Sequence, residues 1–277
     1  LVLNGKHVGN YFFCEQIKIS DDRVNADYLL EVDTKAKTAG GYDDVYFLSS
    51  TTDNVFNIKD PEITTNGSEY NYVQSYINEV EKVLYDDAKY LDSNEGYKKY
   101  CDLESFVDWA LIKELSKDYD GNFFTSCHMN LTNGILKMGP LWDFDLSFGQ
   151  YSQMYDFQPA LDWRLLGTPI WPNDVGYSYR GSGYMFFYYI RQNRAFQKAY
   201  YEVYKEFARR LPELYDFAES YYLYGKSSFE KNAELWQCGK DAEALLSRFK
   251  EWITYRVETL YRHMREYDSS LPENPDI

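Results

Sequence analysis

The sequence predicts an α+β protein, and three observations predict it. Two apolar runs joined by Asn4-Gly5 open a stretch that reads as β-rich over residues 1–66. Helical periodicity then dominates residues 67–268. Inside that helical part an apolar-rich segment turning at Asn133-Gly134 reads as one more hairpin. Strands followed by helices, without strict alternation, indicate two lobes. A cleft between such lobes is the expected ligand site.

Taken in order, Leu1-Val2-Leu3 and Gly9–Ile17 are expected to pair across the Asn4-Gly5 turn. Strands are expected next at Tyr28–Asp33, Val45–Leu48 and Val55–Lys59, with a loop at Gly40-Gly41 and a stop at Asp60-Pro61. That makes a sheet of about four to five sequential, and hence antiparallel, strands. Val73, Tyr76, Ile77, Val80, Val83 and Leu84 set the spacing of a helix from Ser68 to about Ala88. Asp102 can cap a second helix, in which Phe106, Trp109, Ala110 and Leu115 lead up to Asp118. Residues 150–183, rich in Gly, Pro and Trp, read as a long loop, and loops of that length are often functional. A helix from Tyr184 to about Arg210 ends or breaks at Pro212. One or two helices follow over 213–238, and Gly239 separates a final one carrying Trp252, Ile253, Val257, Leu260 and Met264. The tail 269–277, with Pro272 and Pro275, is expected to fray.

Composition narrows the function. The net charge is −15, which argues against nucleic acid as a partner, because phosphate binding needs a basic field. It favours a basic protein partner or a cation, beside the plainer role of keeping the chain soluble. The 29 Tyr imply a half-wet core or an aromatic groove. Cys14, Cys101, Cys127 and Cys238 form no C-x-x-C, so a zinc site is not indicated; they allow up to two disulfides or free thiols. No apolar run reaches the length of a membrane span. The chain opens inside a strand and turn, so it reads as a piece of a longer protein. Its compartment and oligomeric state are left open.

The chemistry concentrates between Asp118 and Gly149. Asp118/Asp120 and Asp143/Asp145 form two Asp-x-Asp pairs at the ends of the hairpin. Carboxylates at i and i+2 of an extended chain share a side, and such oxygen ligands suit Mg2+ or Mn2+. Asp143, between Trp142 and Phe144, is expected to be partly buried, and buried charge needs a partner or a metal; a turn-capping Asp is the plainer reading. Asp120 could accept a proton from a hydroxyl, a layout that phosphoryl transfer uses, and Asn122 could add an amide ligand. Both also suit an ordinary turn. Lys59 could neutralise phosphates, with Glu15 or Glu31 orienting it through an ion pair; otherwise it is a solvated strand lysine. His7, His128 and His263 are unclustered, so no Ser/His/Asp hydrolase can be assembled. Two carboxylates among Trp and Tyr could instead serve glycoside hydrolysis.

Several stretches together resemble the CotH family of spore-coat-type secreted protein kinases. They are Asn4-Gly5 through Gly9 and Tyr11 to Glu15, Tyr28-Leu29-Leu30-Glu31-Val32-Asp33, Phe56-Asn57-Ile58-Lys59-Asp60-Pro61, Ser105–Asp108 through Glu114 to Asp120, Trp142-Asp143-Phe144-Asp145 with Phe148-Gly149, and Trp252 with Arg256 and Leu260. The W-D-x-D-x-x-F-G run is the most specific. The resemblance implies an atypical protein-kinase-like two-lobe fold: a partial antiparallel-sheet N-lobe over 1–66, a helical C-lobe over 67–268 carrying the metal and catalytic hairpin 118–149, and a flexible tail 269–277. It implies ATP with Mg2+ or Mn2+, and transfer of the γ-phosphate to Ser or Thr of a protein outside the cell or on a cell or spore surface; the acidity of the chain adds the expectation that this protein is basic. By position, Asp120 would be catalytic, Asp143 the metal ligand with Asp145 and Asn122 in support, and Lys59 a phosphate contact with Glu31 and Glu15 behind it. Two departures stand out. Asp118 occupies a position where the family usually has Asn, and the family's basic segment ahead of the first hairpin is not in this sequence, so the N-lobe is expected to be truncated at its start. The rival from another class is a kinase-like binding or adhesion module without catalysis.

Overall fold

Extended segments and turns are set by the residues that tolerate them. In the computed structural model, which describes residues 1–37, 45–86, 92, 96–118, 125–149, 187, 190–238 and 241–273, the strands are β1 (Val2–Leu3), β2 (Lys6–His7), β3 (Tyr28–Val32), β4 (Val45–Leu48), β5 (Val55–Asp60), β6 (Cys127–Thr132) and β7 (Ile135–Met138). The helices are α1 (Ser68–Leu84), α2 (Leu103–Ser116), α3 (Arg194–Arg209), α4 (Leu211–Trp236) and α5 (Ala242–Tyr267). Asn4-Gly5 and Asn133-Gly134 close the β1–β2 and β6–β7 hairpins with positive φ at both residues (51° and 77°, 50° and 71°). That conformation matches the twist of paired strands.

Two compact units result, one of Leu1–Gln16 with Tyr204–Ile277 and one of Ile17–Val203. The lobe boundary expected after residue 66 lies inside the second unit.

The second unit is built on a five-stranded antiparallel sheet in the order β4-β5-β3-β6-β7. The expected strands are thus joined by the Asn133-Gly134 hairpin, which extends the sheet across β3. Leu29, Leu30 and Val32 of this central strand are all fully buried. At the β4 edge the Phe47 and Phe56 rings stack at 5.5 Å, and Tyr70 of α1 meets Phe47 edge-on at 6.0 Å. At the other edge the Tyr76 hydroxyl of α1 donates toward the carbonyls of Gly134 (2.7 Å) and Tyr100 (2.9 Å). Asp102 caps α2 as expected, its carboxylate accepting from the Ser105 amide at 2.8 Å. Phe106, Val107, Trp109, Ala110, Leu111 and Leu115 are all buried, so α2 is apolar nearly all round. The helix expected from Tyr184 is interrupted: Phe187 and Ile190 are helical, the chain turns over 191–193, and the Asn193 side chain accepts from the Ala195 amide at 2.9 Å and begins α3. Phe187, against Trp109 and Phe106 at 5.3 and 5.6 Å, belongs to the core.

In the first unit Pro212 sits in the opening turn of α4, where a missing N–H costs nothing. The expected one or two helices over 213–238 are one long helix, which ends at Trp236. Asp241 caps α5, accepting from the Ala244 amide at 2.9 Å. The β1–β2 hairpin is tied to α4 by the Asn10 amide donating to Asn232 (2.8 Å) and the Ser228 hydroxyl donating to Asn10 (2.6 Å). The strand expected over Gly9–Ile17 does not form. Gly9, at φ 128°, turns the chain against Trp236, and a side chain there would meet the indole nitrogen at 2.9 Å. Beyond it Phe12 and Phe13 are exposed. Cys101 and Cys127 are buried and Cys14 and Cys238 exposed, and among the described residues no disulfide joins them. Among the described residues no helix is long and apolar enough to cross a membrane. The Gly40-Gly41 loop and the 150–183 loop lie outside the described residues.

Candidate functional site

The sheet brings one polar cluster to β3, β5 and β6. Glu31 stands opposite His128 of β6 and Asn57 of β5, and side chains directly opposite share a face. Lys59, two positions along from Asn57, lies on that face too. Its ammonium is 3.5 Å from one Glu31 oxygen, and His128 Nε2 is 3.8 Å from the other. Burial, then the charges of Lys59 and Lys113, push the His128 imidazole down to about 4. At neutral pH His128 is therefore uncharged, and the carboxylate of Glu31 is balanced by Lys59. The Glu31–Lys59 pairing expected from the sequence is present. Glu15 lies in the first unit, in an exposed stretch outside any strand.

The second cluster forms where α2 ends. The helix closes with Lys117 in the left-handed region (φ 47°), the Asp118 amide donating to the Lys113 carbonyl and the Lys117 amide to the Glu114 carbonyl. This is a Schellman-type end built without glycine, and it swings the Asp118 carboxylate back onto the Lys113 ammonium. Both side chains are fully buried. Lys113 Nζ also donates toward the Trp142 carbonyl at 3.4 Å and lies 4.2 Å from the centre of the Phe144 ring. The Phe148 amide donates to the Ser116 carbonyl at 2.7 Å, satisfying one of the orphan acceptors of the helix end. The turn after β7 is thus fastened to α2 at both of its ends.

That turn presents the second aspartate pair. Asp143 has φ 57°, so the pair is not held on an extended chain, and the same-side argument from strand geometry does not apply. Asp143 is also exposed, not partly buried as expected, because Trp142 and Phe144 do not close over it. The Ser126 hydroxyl approaches its carboxylate at 3.5 Å. Asp145 is exposed as a residue, yet its carboxyl is pushed up. Partial desolvation acts first, then the charge of Asp143 and a hydrogen bond toward it, and last the charge of Asp118, with the Leu146 amide acting the other way. Two carboxylates that repel each other at close range are a place where a cation is favoured.

Asp120 and Asn122 lie outside the described residues, and among the described residues no group of three or more His, Cys, Asp or Glu side chains gathers to hold a metal ion. Sequence reasoning did not assign roles to Lys113, Ser126 or His128. One signal could have found Lys113: a lysine inside a helix apolar nearly all round, five residues before an aspartate.

Among curated proteins none matches the chain. A family model described as CotH kinase protein matches residues 1–260. That span takes in the Glu31–Lys59 pair, the Lys113–Asp118 pair and the Asp143–Asp145 turn alike, and the chain belongs to the CotH kinase protein family.

Proposed function

We propose that the chain is an ATP-using protein kinase of two lobes that transfers the γ-phosphate to a Ser or Thr hydroxyl of a basic protein, outside the cell or on a cell or spore surface. Family membership supports ATP use. The observation that carries the reading is the Asp143–Asp145 pair, two exposed carboxylates of which Asp143 pushes the carboxyl of Asp145 up, in the same compact unit as a lysine already oriented by a glutamate. Mg2+ is usually held by one or two carboxylates together with phosphate oxygens, and the pair fits that donor set. Asp143, with Asp145, would hold Mg2+ or Mn2+, which supplies charge neutralisation for the nucleotide phosphates; Asn122 would assist. Lys59, held by Glu31, would meet the phosphates as a positive charge. Asp120 would accept the proton of the substrate hydroxyl as the phosphoryl group is transferred. A net charge of −15 would steer Lys- and Arg-rich targets toward the protein.

The test is transfer of labelled γ-phosphate to a Ser-containing basic peptide, with Asp120→Asn alongside. The parent protein is expected to label the peptide only with a divalent cation present, and Asp120→Asn to lose at least a hundredfold in rate. Labelling by Asp120→Asn at the parent rate would overturn the catalytic assignment. Divalent-dependent nucleotide binding without transfer would favour the binding module over the kinase.

A further inference from the structure

Lys113 touches both Asp118, where α2 ends, and the turn after β7. Its side chain and that of Asp118 are fully buried. An ammonium has three N–H donors and no acceptor, and once out of water it must be satisfied by protein. Lys113 meets Asp118 at the end of its own helix, the Trp142 carbonyl just before Asp143, and the face of Phe144 just after it. Asp143 therefore sits between two residues that touch the same buried cation.

A neutral, well-packed pair in that space would cost the fold little, since buried ion pairs can often be replaced by apolar residues without loss of stability. Packing alone thus does not call for charge here. What the charge does is fix direction: an ammonium attracts a carbonyl oxygen and the negative face of a ring, and here it holds one on each side of Asp143. Asp143 is in the left-handed region and exposed, so its own side chain contributes little packing to hold the turn. The Phe148 amide bond to Ser116 holds the far end of the turn, and Lys113 holds the near end.

We propose that Lys113 is a positioning residue: the buried Lys113–Asp118 pair sets the place of the Trp142–Phe148 turn and, through it, the Asp143 and Asp145 carboxylates. The part of this proposal that concerns cation binding rests on the reading of Asp143 and Asp145 given above. The part that concerns the turn does not.

The experiment uses the full chain with both charges removed together, Lys113→Met/Asp118→Asn, so that no lone buried charge remains. Amide hydrogen exchange is expected to speed up at least tenfold over residues 141–149, while β3 and β5 exchange at parent rates. Mn2+ alone, followed by its electron paramagnetic resonance signal, is expected to bind at least tenfold more weakly. Parent-like exchange over 141–149 would overturn the proposal, as would parent-like Mn2+ affinity in a variant whose parent binds the ion. A parent that binds no Mn2+ would overturn the functional reading of Asp143 and Asp145, and the exchange measurement would still decide the role of Lys113. If the double variant does not fold, Phe144→Leu removes the ring beside the ammonium and leaves the ion pair. It is expected to raise exchange over 141–149 about threefold, and no change there would count against the proposal.

Discussion

At the end of α2, Asp118 is fully buried and its carboxylate lies against the Lys113 ammonium. In the turn after β7, Asp143 is exposed, with a hydroxyl at 3.5 Å and a second carboxylate beside it. The same side chain is used in two ways. Buried, it neutralises the Lys113 ammonium, and its removal would leave that cation stranded in an apolar helix. Exposed, it gains nothing for the fold and is left with a neighbour of like charge. The difference separates what holds this site together from what it offers to a ligand, and it can be attacked from both ends.

The largest expected effect is on the buried side. Asp118→Ala leaves Lys113 without its carboxylate, and breaking a buried pair in this way costs about 3–5 kcal/mol. Urea unfolding measures it. A loss below about 1 kcal/mol would mean that Lys113 finds other partners and that the contrast is overstated.

Next comes His128, a buried base on the sheet rather than a buried acid. Its imidazole titrates near 4 in the fold, against an ordinary value of 6.5. Between those values the unfolded chain binds a proton that the folded chain refuses, so stability falls as pH drops from about 6.5 to about 4. At roughly 1.4 kcal/mol for each pH unit of displacement, the fall attributable to this residue is about 3 kcal/mol. His128→Gln should flatten the unfolding midpoint across that window, and a variant that tracks the parent would remove His128 from the account.

A smaller effect sharpens the comparison. Glu81 of α1 is as buried as Asp118 but is met by a hydroxyl and an amide, Thr52 at 2.7 Å and Asn54 at 3.4 Å, and its other oxygen has no hydrogen-bond partner. Burial pushes its carboxyl up from the ordinary 4.5. The folded state then holds a proton that the unfolded state gives up, so stability falls as pH rises above about 4.5. Glu81→Gln is expected to gain on the parent from pH 4 to pH 7, raising the melting temperature at pH 7 by about 2–4 °C for roughly 1 kcal/mol. A drop at pH 7 would show that the carboxylate is satisfied as an ion.

Much of the framework was legible because short-range chemistry decides it. Asn133-Gly134 forced a tight turn, Asp102 had an amide to cap, and the apolar spacing of α1 and α5 left one face to bury. The Lys59–Glu31 pair was legible as soon as both residues fell on sheet strands. The rest depended on distant partners. Gly9–Ile17 reads as a strand, but pairing needs a neighbour, and Gly9 turns the chain against Trp236 instead. Asn193 looks like one more helix residue until its side chain caps the next helix. The two Asp-x-Asp pairs read as symmetric because nothing local shows that Lys113 reaches one of them and not the other. Burial of Asp143 was inferred from Trp142 and Phe144 as neighbours in sequence, and exposure is set by what packs over a residue.

The central claim is that Asp118 secures the site while Asp143 serves the ligand. It is tested most directly by calorimetric titration of Mn2+ with ATP into the parent and into Asp143→Asn, a change that tolerates the left-handed backbone. The parent is expected to bind and Asp143→Asn to lose that binding, while the two unfold within about 0.5 kcal/mol of each other in urea, as exposed substitutions do. Equal binding by both proteins would contradict the account.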